Sequence, residues 1–227
     1  MISAAMIFAA CKKKAYYFDS GTHNAKYEGT ILEYIKEKPL YFDTLATVIE
    51  LAEMEDVFQN ENVTFFAPTS SSITKSYRAL NEHFRVSGKD TVQMDQIKPI
   101  VWRETLSLYI LKGSYVSKDF PQLDTMAFLS FPGQGFVSYG GRPMNVGVIY
   151  NDAGSIQYAG YRQLFYSFIP DFSTPKDNLI HIPVASSDIQ PENGVIHVLN
   201  QKKHNFGFET ARFIDLVNSY GIAEKKP

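Results

Sequence analysis

This sequence has a single cysteine and no excess of basic charge. Cys11 is the only cysteine among 227 residues, so the chain has no pair for an internal disulfide and core packing has to stabilise the fold. The formal net charge is -2, and there is no long basic stripe of the kind that neutralises phosphates. We therefore exclude general nucleic-acid binding. With 44% hydrophobic and 20% charged residues, the chain has the composition of one folded domain with tails.

Sequence motifs of catalysis are also missing. The glycines around position 140 match neither a P-loop, which ends in Gly-Lys-Ser/Thr, nor a dinucleotide fingerprint, and they are typical of turns. There is no Gly-x-Ser-x-Gly nucleophile elbow. Metal-binding spacing is not found among the histidines, which are His23, His83, His181, His197 and His204. We predict no catalytic residue, no cofactor and no metal site. A carboxylate pair for glycoside hydrolysis cannot be chosen from 24 acidic residues, because that chemistry depends on their separation in space.

Two apolar segments give the strongest local signals. Asn193-Gly194 suits a tight turn, and residues 195–199, Val-Ile-His-Val-Leu, have strand length and β-branched side chains. Both faces of this strand are largely apolar, which places His197 inside the protein. More than a hundred residues earlier, residues 63–67 form a second apolar run. It ends at Pro68-Thr69, where proline stops a strand and threonine suits the N-cap of a helix.

Together these segments resemble the two signatures of fasciclin-like domains. The first comprises Thr64, Phe65, Phe66, Ala67, Pro68 and Thr69, and the second centres on Asn193, Gly194, Val195, Ile196 and His197. Their order and their separation by about one domain of sequence make the resemblance specific. It implies an α+β fold, with a single fasciclin-like domain over residues 27–200 that has a β-rich core and helices packed around it.

The chain departs from the family at Ile110. Many members have a Tyr-His pair at this point, and in some animal members that segment is linked to integrin adhesion. Here Ile110 follows Tyr109 in place of the histidine, so the resemblance does not carry integrin binding over to this chain.

His197 has two interpretations. A strand histidine flanked by valines is more often a hydrogen-bonded core residue, and we favour that structural role. Thr64 and Thr69 are its expected partners, because the family brings its two signatures close together. A titrating switch is the alternative.

Hydrophobic periodicity predicts the remaining elements. Helical spacing is found at residues 30–35, 42–52 and 96–105, and again at 209–218, within a C-terminal helical extension that we place at 201–227. Strands are predicted at 125–131, 164–169 and 179–184. Residues 146–150 and 155–158 are predicted to pair as a β-hairpin around the turn at 151–154.

The N-terminus resembles a lipoprotein signal. Residues 1–10 are almost wholly apolar but too short for a transmembrane helix, and Phe8-Ala9-Ala10-Cys11 resembles a bacterial lipobox. We expect residues 1–10 to be a signal peptide cut before Cys11, whose thiol is then acylated, and residues 11–26 to form the lipidated cysteine and its tether. Phe8 stands where leucine is usual, and no Lys or Arg precedes the apolar stretch, which a start codon placed too late in the gene explains. The alternative is an apolar tail with an ordinary thiol.

Two classes of function follow. The first is a non-enzymatic protein, lipid-anchored in the bacterial cell envelope, whose fasciclin-like domain mediates adhesion by binding a protein or a glycan. Lys12, where many inner-membrane lipoproteins have aspartate, favours the outer membrane. The predicted ligand surface consists of Phe136, Tyr139, Tyr158 and Tyr161, near the glycine-rich turns. The second class is an accessory carbohydrate-binding subunit or a glycan-processing enzyme of a cell-surface nutrient-uptake system.

Overall fold

The helices of the protein fall mainly in its first half. The structure is a computed structural model that describes residues 25–174 and 178–224. Five α-helices precede residue 107. They are α1 (Ile31–Glu37), α2 (Pro39–Leu51), α3 (Glu55–Asn60), α4 (Ser70–Val86) and α5 (Pro99–Leu106). A further helix, α6 (Thr210–Tyr220), follows the last strand. Thr30 is the N-cap of α1 and exchanges capping hydrogen bonds with Glu33. The sequence predicted all of these except α3, a six-residue helix too short to show a helical period.

A single mixed sheet of seven strands forms the rest of the fold. Its strands are β1 (Val63–Ala67), β2 (Ile110–Lys112), β3 (Gln134–Val137), β4 (Pro143–Tyr150), β5 (Arg162–Phe168), β6 (Ile180–Ile189) and β7 (Gly194–Leu199), in the order β2-β1-β7-β6-β5-β4-β3. The pair β1–β7 is parallel and the other pairs are antiparallel. The predicted α+β fold is confirmed.

The two edge strands of the sheet approach each other. The Tyr139 N–H, just after β3, donates to the Ile110 carbonyl of β2 at 2.8 Å, and Leu111 and Ser138 form an isolated bridge. The sheet therefore curls until its edges meet. Its interior holds large rings, among them Phe66 and Tyr166, which stack with centroids 4.0 Å apart.

Strand direction defines two ends of the sheet. At one end, which we call the Gln190 end, β6 finishes and β1, β5 and β7 begin. The described chain starts here, since Ala25 O accepts the Gln190 N–H at 2.6 Å and Lys26 bridges to Gln190. At the other end, which we call the Asn200 end, β1 and β7 finish and α4 begins.

Residues 125–131 are not a strand, contrary to the sequence prediction. Asp124 Oδ1 accepts the N–H groups of Met126 and Ala127, and the Ala127 carbonyl accepts those of Ser130 and Phe131. These local bonds close a turn in place of a sheet ladder. The apolar composition was misleading because the side chains of this run are not buried in the core.

The predicted hairpin partner at 155–158 is also wrong. Tyr150 at the end of β4 pairs with Arg162, so the partner strand is β5 and residues 151–161 form the loop between them. The loop is closed within itself, because Asp152 Oδ1 accepts the Tyr158 N–H at 2.9 Å and Asn151 O accepts the Gly160 N–H at 2.6 Å.

Helix α6 belongs to the same hydrophobic core as the rest of the chain. It packs against α4 and α5, with Phe213 and Val217 fully buried. The Phe213 ring lies 5.5 Å from that of Trp102 and 6.0 Å from that of Phe206. Among the helices of the described residues, none is long and apolar enough to span a bilayer.

Candidate functional site

The two sequence signatures lie side by side at the centre of the sheet. Strands β1 and β7 pair in parallel, with Phe66 directly opposite His197, and their rings stack with centroids 5.0 Å apart. Phe65, Phe66, Ala67, Val195 and Ile196 are all buried. These motif residues therefore build the core, as the structural interpretation of the signatures requires.

The Asn193-Gly194 turn joins three parts of the fold. Asn193 Oδ1 accepts the Ile31 N–H that begins α1, while Nδ2 donates to the carbonyls of Phe58 and Glu61 at the end of α3. Gly194 has φ +154, and a Cβ atom at this position would lie 1.9 Å from Val63 O. Only glycine allows β1 to approach this closely.

His197 is a fully buried, hydrogen-bonded residue. The Asp188 N–H donates to Nδ1 at 3.2 Å, so Nε2 carries the ring hydrogen and donates to Tyr115 O at 3.0 Å. Burial lowers the pKa of His197, although the Tyr115 carbonyl and the Asp188 charge act in the opposite direction. Both nitrogens are satisfied in the neutral ring, which is the arrangement of a structural histidine.

The partners predicted for His197 were wrong. Thr64 Oγ1 donates to Gly113 O at 2.7 Å and accepts the Tyr115 N–H, and Thr69 Oγ1 lies 3.3 Å from Ser72 Oγ. The register of β1 and β7 places Phe66 opposite the histidine instead. Thr64 acts only indirectly, by accepting the N–H of Tyr115, the residue whose carbonyl meets Nε2 of His197. Thr69 is the N-cap residue of α4, as predicted, but makes no side-chain capping bond.

His204 is a second buried histidine, and its burial was not predicted from the sequence. His204 Nε2 lies 2.8 Å from the Tyr109 hydroxyl, which also accepts the Gly207 N–H. The Tyr109 ring stacks between Phe206 and Phe208. Burial and, to a smaller extent, the nearby Lys75 charge together lower the pKa of His204 to about 3. Both residues are buried, so we assign the pair to the core.

The four aromatic residues predicted as a ligand surface lie in two separate places. Phe136 packs edge-on against Tyr115 and Phe120, and Tyr139 donates its hydroxyl hydrogen to Glu61, so both are partly covered near the start of β4. Tyr158 and Tyr161 lie in the loop that follows β4. Strand β4 has eight residues and spans about 25 Å, so the two pairs lie at its opposite ends. Tyr158 donates to Asp124, and Tyr161 is 69% exposed. One ligand cannot contact both pairs unless it follows the full length of β4.

A groove that the sequence did not predict lies between the first two helices and the last two strands. It encloses about 560 Å³ and runs towards the Asn200 end of the sheet. Its apolar lining includes Tyr34, Tyr41, Phe42, Ile189, Val198 and Leu199, and its polar lining includes Thr69, Ser186, Asn200, Gln201 and Lys202. Tyr41 is 57% exposed, and burial raises the pKa of Tyr34. Among the described residues, no Asp, Glu, His or Cys lines this groove.

Lysine 75 fixes the rim of the groove. Its Nζ donates to the carbonyls of Gln201 and His204, and Asn200 Oδ1 accepts the Lys202 N–H at 3.0 Å. The segment after β7 is therefore held against α4, and its amide side chains are presented on a supported backbone. No periodicity signals such a rim, because it is assembled from a helix and a turn more than a hundred residues apart.

A second, smaller cleft of about 390 Å³ lies beside α6. Arg142 Nη2 donates to the carbonyls of Ile169 and Pro170, and its guanidinium lies 4.4 Å from the ring centroids of both Phe168 and Phe172. Burial and the charge of Arg212 lower the pKa of Arg142. The lining also contains two carboxylates, Glu209 and Asp215, which balance the two arginines. We assign this cleft a structural role, in which Arg142 holds the segment after β5.

The predicted lipid attachment site, Cys11, lies outside the described residues. Within the described part of the chain, no group of three or more His, Cys, Asp and Glu side chains is arranged to hold a metal ion. The groove is therefore the candidate site.

The comparison with protein families agrees with this description. The sequence profile of the fasciclin domain matches residues 40–202, which include both signatures. No curated protein matches the chain. Matching solved structures include the FAS1 domain pair of the insect cell adhesion molecule fasciclin I, at 14% sequence identity and a TM-score of 0.47. That match covers 77% of this chain and 52% of the other, so the chain spans about half the length of the domain pair. Because the family profile covers most of the sequence, this chain belongs to the fasciclin domain family.

Proposed function

We propose that this protein is a non-enzymatic, membrane-anchored lipoprotein whose fasciclin domain binds a glycan in cell adhesion. Fasciclin domains are known in cell adhesion proteins, which supports the adhesive role. The observation that carries the choice of ligand is the groove between α1–α2 and β6–β7.

The lining of the groove suits a sugar chain. Sugars present apolar ring faces that stack on aromatic rings, and hydroxyl groups that hydrogen-bond with amides and hydroxyls. Tyr34, Tyr41 and Phe42 supply the rings, and Ser186, Asn200 and Gln201 supply the polar groups. A volume of about 560 Å³ holds a short oligosaccharide. An oligosaccharide is therefore the ligand that this mixed lining fits best.

The groove supports binding rather than cleavage of that glycan. Glycoside hydrolysis requires two carboxyl groups on either side of the scissile bond. The described lining contains no carboxylate, so a hydrolase would have to recruit its acid and base from elsewhere. The accessory carbohydrate-binding subunit of an uptake system shares this lining, and the two roles differ in the partner proteins and not in the groove.

The anchor is the second part of the proposal. Phe8-Ala9-Ala10-Cys11 resembles a lipobox, and two or three acyl chains on one cysteine give near-permanent attachment, since each buried methylene contributes about 0.8 kcal/mol. We place the protein in the bacterial cell envelope, with the outer membrane as the favoured location.

The groove is tested by replacing its most exposed ring. Tyr41→Ala should weaken oligosaccharide binding by at least about tenfold, the effect expected of an aromatic anchor, as measured by calorimetry with the best ligand from a glycan array. Tyr161→Ala is the matched control, because Tyr161 is similarly exposed but lies in the loop between β4 and β5 and does not line the groove. Loss of binding with Tyr161→Ala alone would move the site to the predicted loop aromatics. Glycan turnover by the wild type would contradict the non-enzymatic role. If the protein bound a protein partner and no glycan, the choice of ligand would be wrong and only the adhesive role would remain.

The anchor is tested on intact cells. Wild type should incorporate labelled acyl chains and remain in the membrane fraction, whereas Cys11→Ala should be unlabelled and released. Protease shaving of the same cells then shows whether the domain faces outwards. A wild-type protein without acyl chains contradicts the lipoprotein proposal.

A further inference from the structure

Two loops at the Gln190 end carry large apolar side chains that the protein does not cover. Met126 and Leu129 are 94% and 85% exposed in the turn after Asp124, and Ile156 and Tyr161 are 65% and 69% exposed in the loop between β4 and β5. We call these four side chains the loop surface. Solvent-exposed apolar residues grouped in this way mark a contact with another molecule.

The two loops are tied to each other. Tyr158 in the second loop donates its hydroxyl hydrogen to Asp124 in the first at 2.6 Å, and its ring packs edge-on against Phe131, with centroids 5.7 Å apart. Each loop is also closed by its own backbone bonds to Asp124 or Asp152. The exposed side chains are therefore held on a supported scaffold.

The loop surface lies at the same end of the sheet as the start of the domain. The backbone of Ala25, Lys26 and Tyr27 pairs with Gln190 at the end of β6, and the loop begins at Asn151, just beyond β4. Only β5 separates β6 from β4, so these two strands lie about 10 Å apart across the sheet, and Gln190 lies a few residues beyond Asn151 along the strand direction.

The distance to the anchor limits how the domain sits. The thirteen residues between Cys11 and Ala25 reach at most about 45 Å, which is close to the diameter of a domain of this size. For the Asn200 end to touch the bilayer, those residues would have to run back along the domain, past the roughly 33 Å that β6 spans. The Gln190 end, where the described chain starts, is therefore the end nearest the proposed anchor.

We propose that the loop surface docks on the lipid bilayer, with Met126, Leu129, Ile156 and Tyr161 entering the interface between head groups and acyl chains. Aliphatic and tyrosine side chains are the residues that such an interface accepts. The carboxylates of Asp124 and Asp152 accept hydrogen bonds from the loops themselves, and no basic cluster is present among the described residues of the two loops. The contact is therefore apolar and does not require anionic lipid. This inference rests on the Cys11 anchor of the proposed function.

The test compares two equally exposed leucines at opposite ends of the domain. Leu129→Trp places a fluorophore in the loop surface, and Leu40→Trp, at a leucine that is 84% exposed beside the groove, is the control. The native Trp102 is buried and adds the same background to both variants. The full-length acylated proteins are reconstituted in phosphatidylethanolamine–phosphatidylglycerol vesicles whose acyl chains carry bromine, a short-range quencher. The proposal expects loss of emission for Leu129→Trp, no loss for Leu40→Trp, and recovery when Met126→Ser and Ile156→Ser are added to Leu129→Trp.

The proposal would be overturned if bromine quenched Leu129→Trp and Leu40→Trp to the same extent, or quenched neither. Unquenched emission from both would also indicate that a protein, not lipid, covers the loops. Mass spectrometry of the same samples reports acylation separately. If Cys11 carries no acyl chain, its thiol is coupled to a maleimide lipid and the quenching is repeated. Failure of the anchor and failure of the loop surface are then distinguished.

Discussion

At the scale of single residues, buried polar groups decide how the core responds to solution conditions. His204 is enclosed by the rings of Tyr109 and Phe208, and its Nδ1 atom has no hydrogen-bond partner among the described residues. A proton added to this ring would bring a charge into an apolar cluster close to Lys75. The folded state therefore holds His204 neutral.

We predict that this histidine makes stability fall with acidification. Its pKa is 6.5 when unfolded and about 3 when folded, so its stabilising effect is complete above pH 6.5 and is lost as the pH falls towards 3. Between pH 7.5 and 4.5 the loss should be roughly 2–3 kcal/mol from this residue. Urea unfolding at pH 7.5 and pH 4.5 checks this prediction. His204→Gln should flatten the pH dependence by this amount, and His83→Gln, at an exposed histidine, is the control substitution. Parallel curves for wild type and His204→Gln would contradict the prediction.

Residue roles were predictable where sequence neighbours determine them. Asn193-Gly194 was predicted as a turn because the dipeptide itself favours that backbone, and the structure adds that Val63 O leaves no room for a Cβ atom. His197 was placed inside because apolar residues flank it. The partners of His197 and the pair formed by Tyr109 and His204 were not predictable, since they depend on strand register and on contacts across 82 to 95 residues of sequence.

At the scale of elements, α6 completes the core although it lies beyond the family match. Its residue Phe213 is fully buried against Trp102 of α5 and Phe206 of the preceding loop. The helical period of residues 209–218 predicted this helix because one apolar face is continuous. The run at 125–131 is apolar without such a face or a partner strand, and the carboxylate of Asp124 organises it as a turn. The groove was missed for a related reason, since each of its walls comes from a different part of the chain.

We predict that Phe213→Ala destabilises the domain by about 3–5 kcal/mol, because it removes a fully buried ring from a packed cluster. Chemical denaturation measures the change, and a single cooperative transition is expected because α6 shares the core of the sheet domain. Tyr220→Ala, at the exposed end of the same helix, is the control and should cost far less. A separate early transition in Phe213→Ala, with the main transition unchanged, would show that α6 folds as an independent appendage.

At the scale of the whole molecule, strand direction gives the domain two distinct ends. The chain enters at the Gln190 end, where the loop surface lies, and the groove opens towards the Asn200 end. The ten residues of β6 separate these ends by about 33 Å. An anchored domain that rests on its loop surface would therefore present its groove away from the bilayer, which is the orientation that adhesion requires.

This polarity predicts that anchoring leaves glycan binding intact. The acylated protein on vesicles and the soluble Cys11→Ala protein should bind the same oligosaccharide with the same dissociation constant, because Thr69, Asn200 and Gln201 of the groove lie at the Asn200 end, and Ile189 is its lining residue nearest the membrane-facing end. Titration of both forms with one labelled oligosaccharide measures this, and Tyr41→Ala on vesicles gives the background. A tenfold or greater loss on anchoring would mean that the groove faces the bilayer. In that case the loop surface would have to point into solvent, and both its lipid contact and the adhesive use of the groove would be wrong.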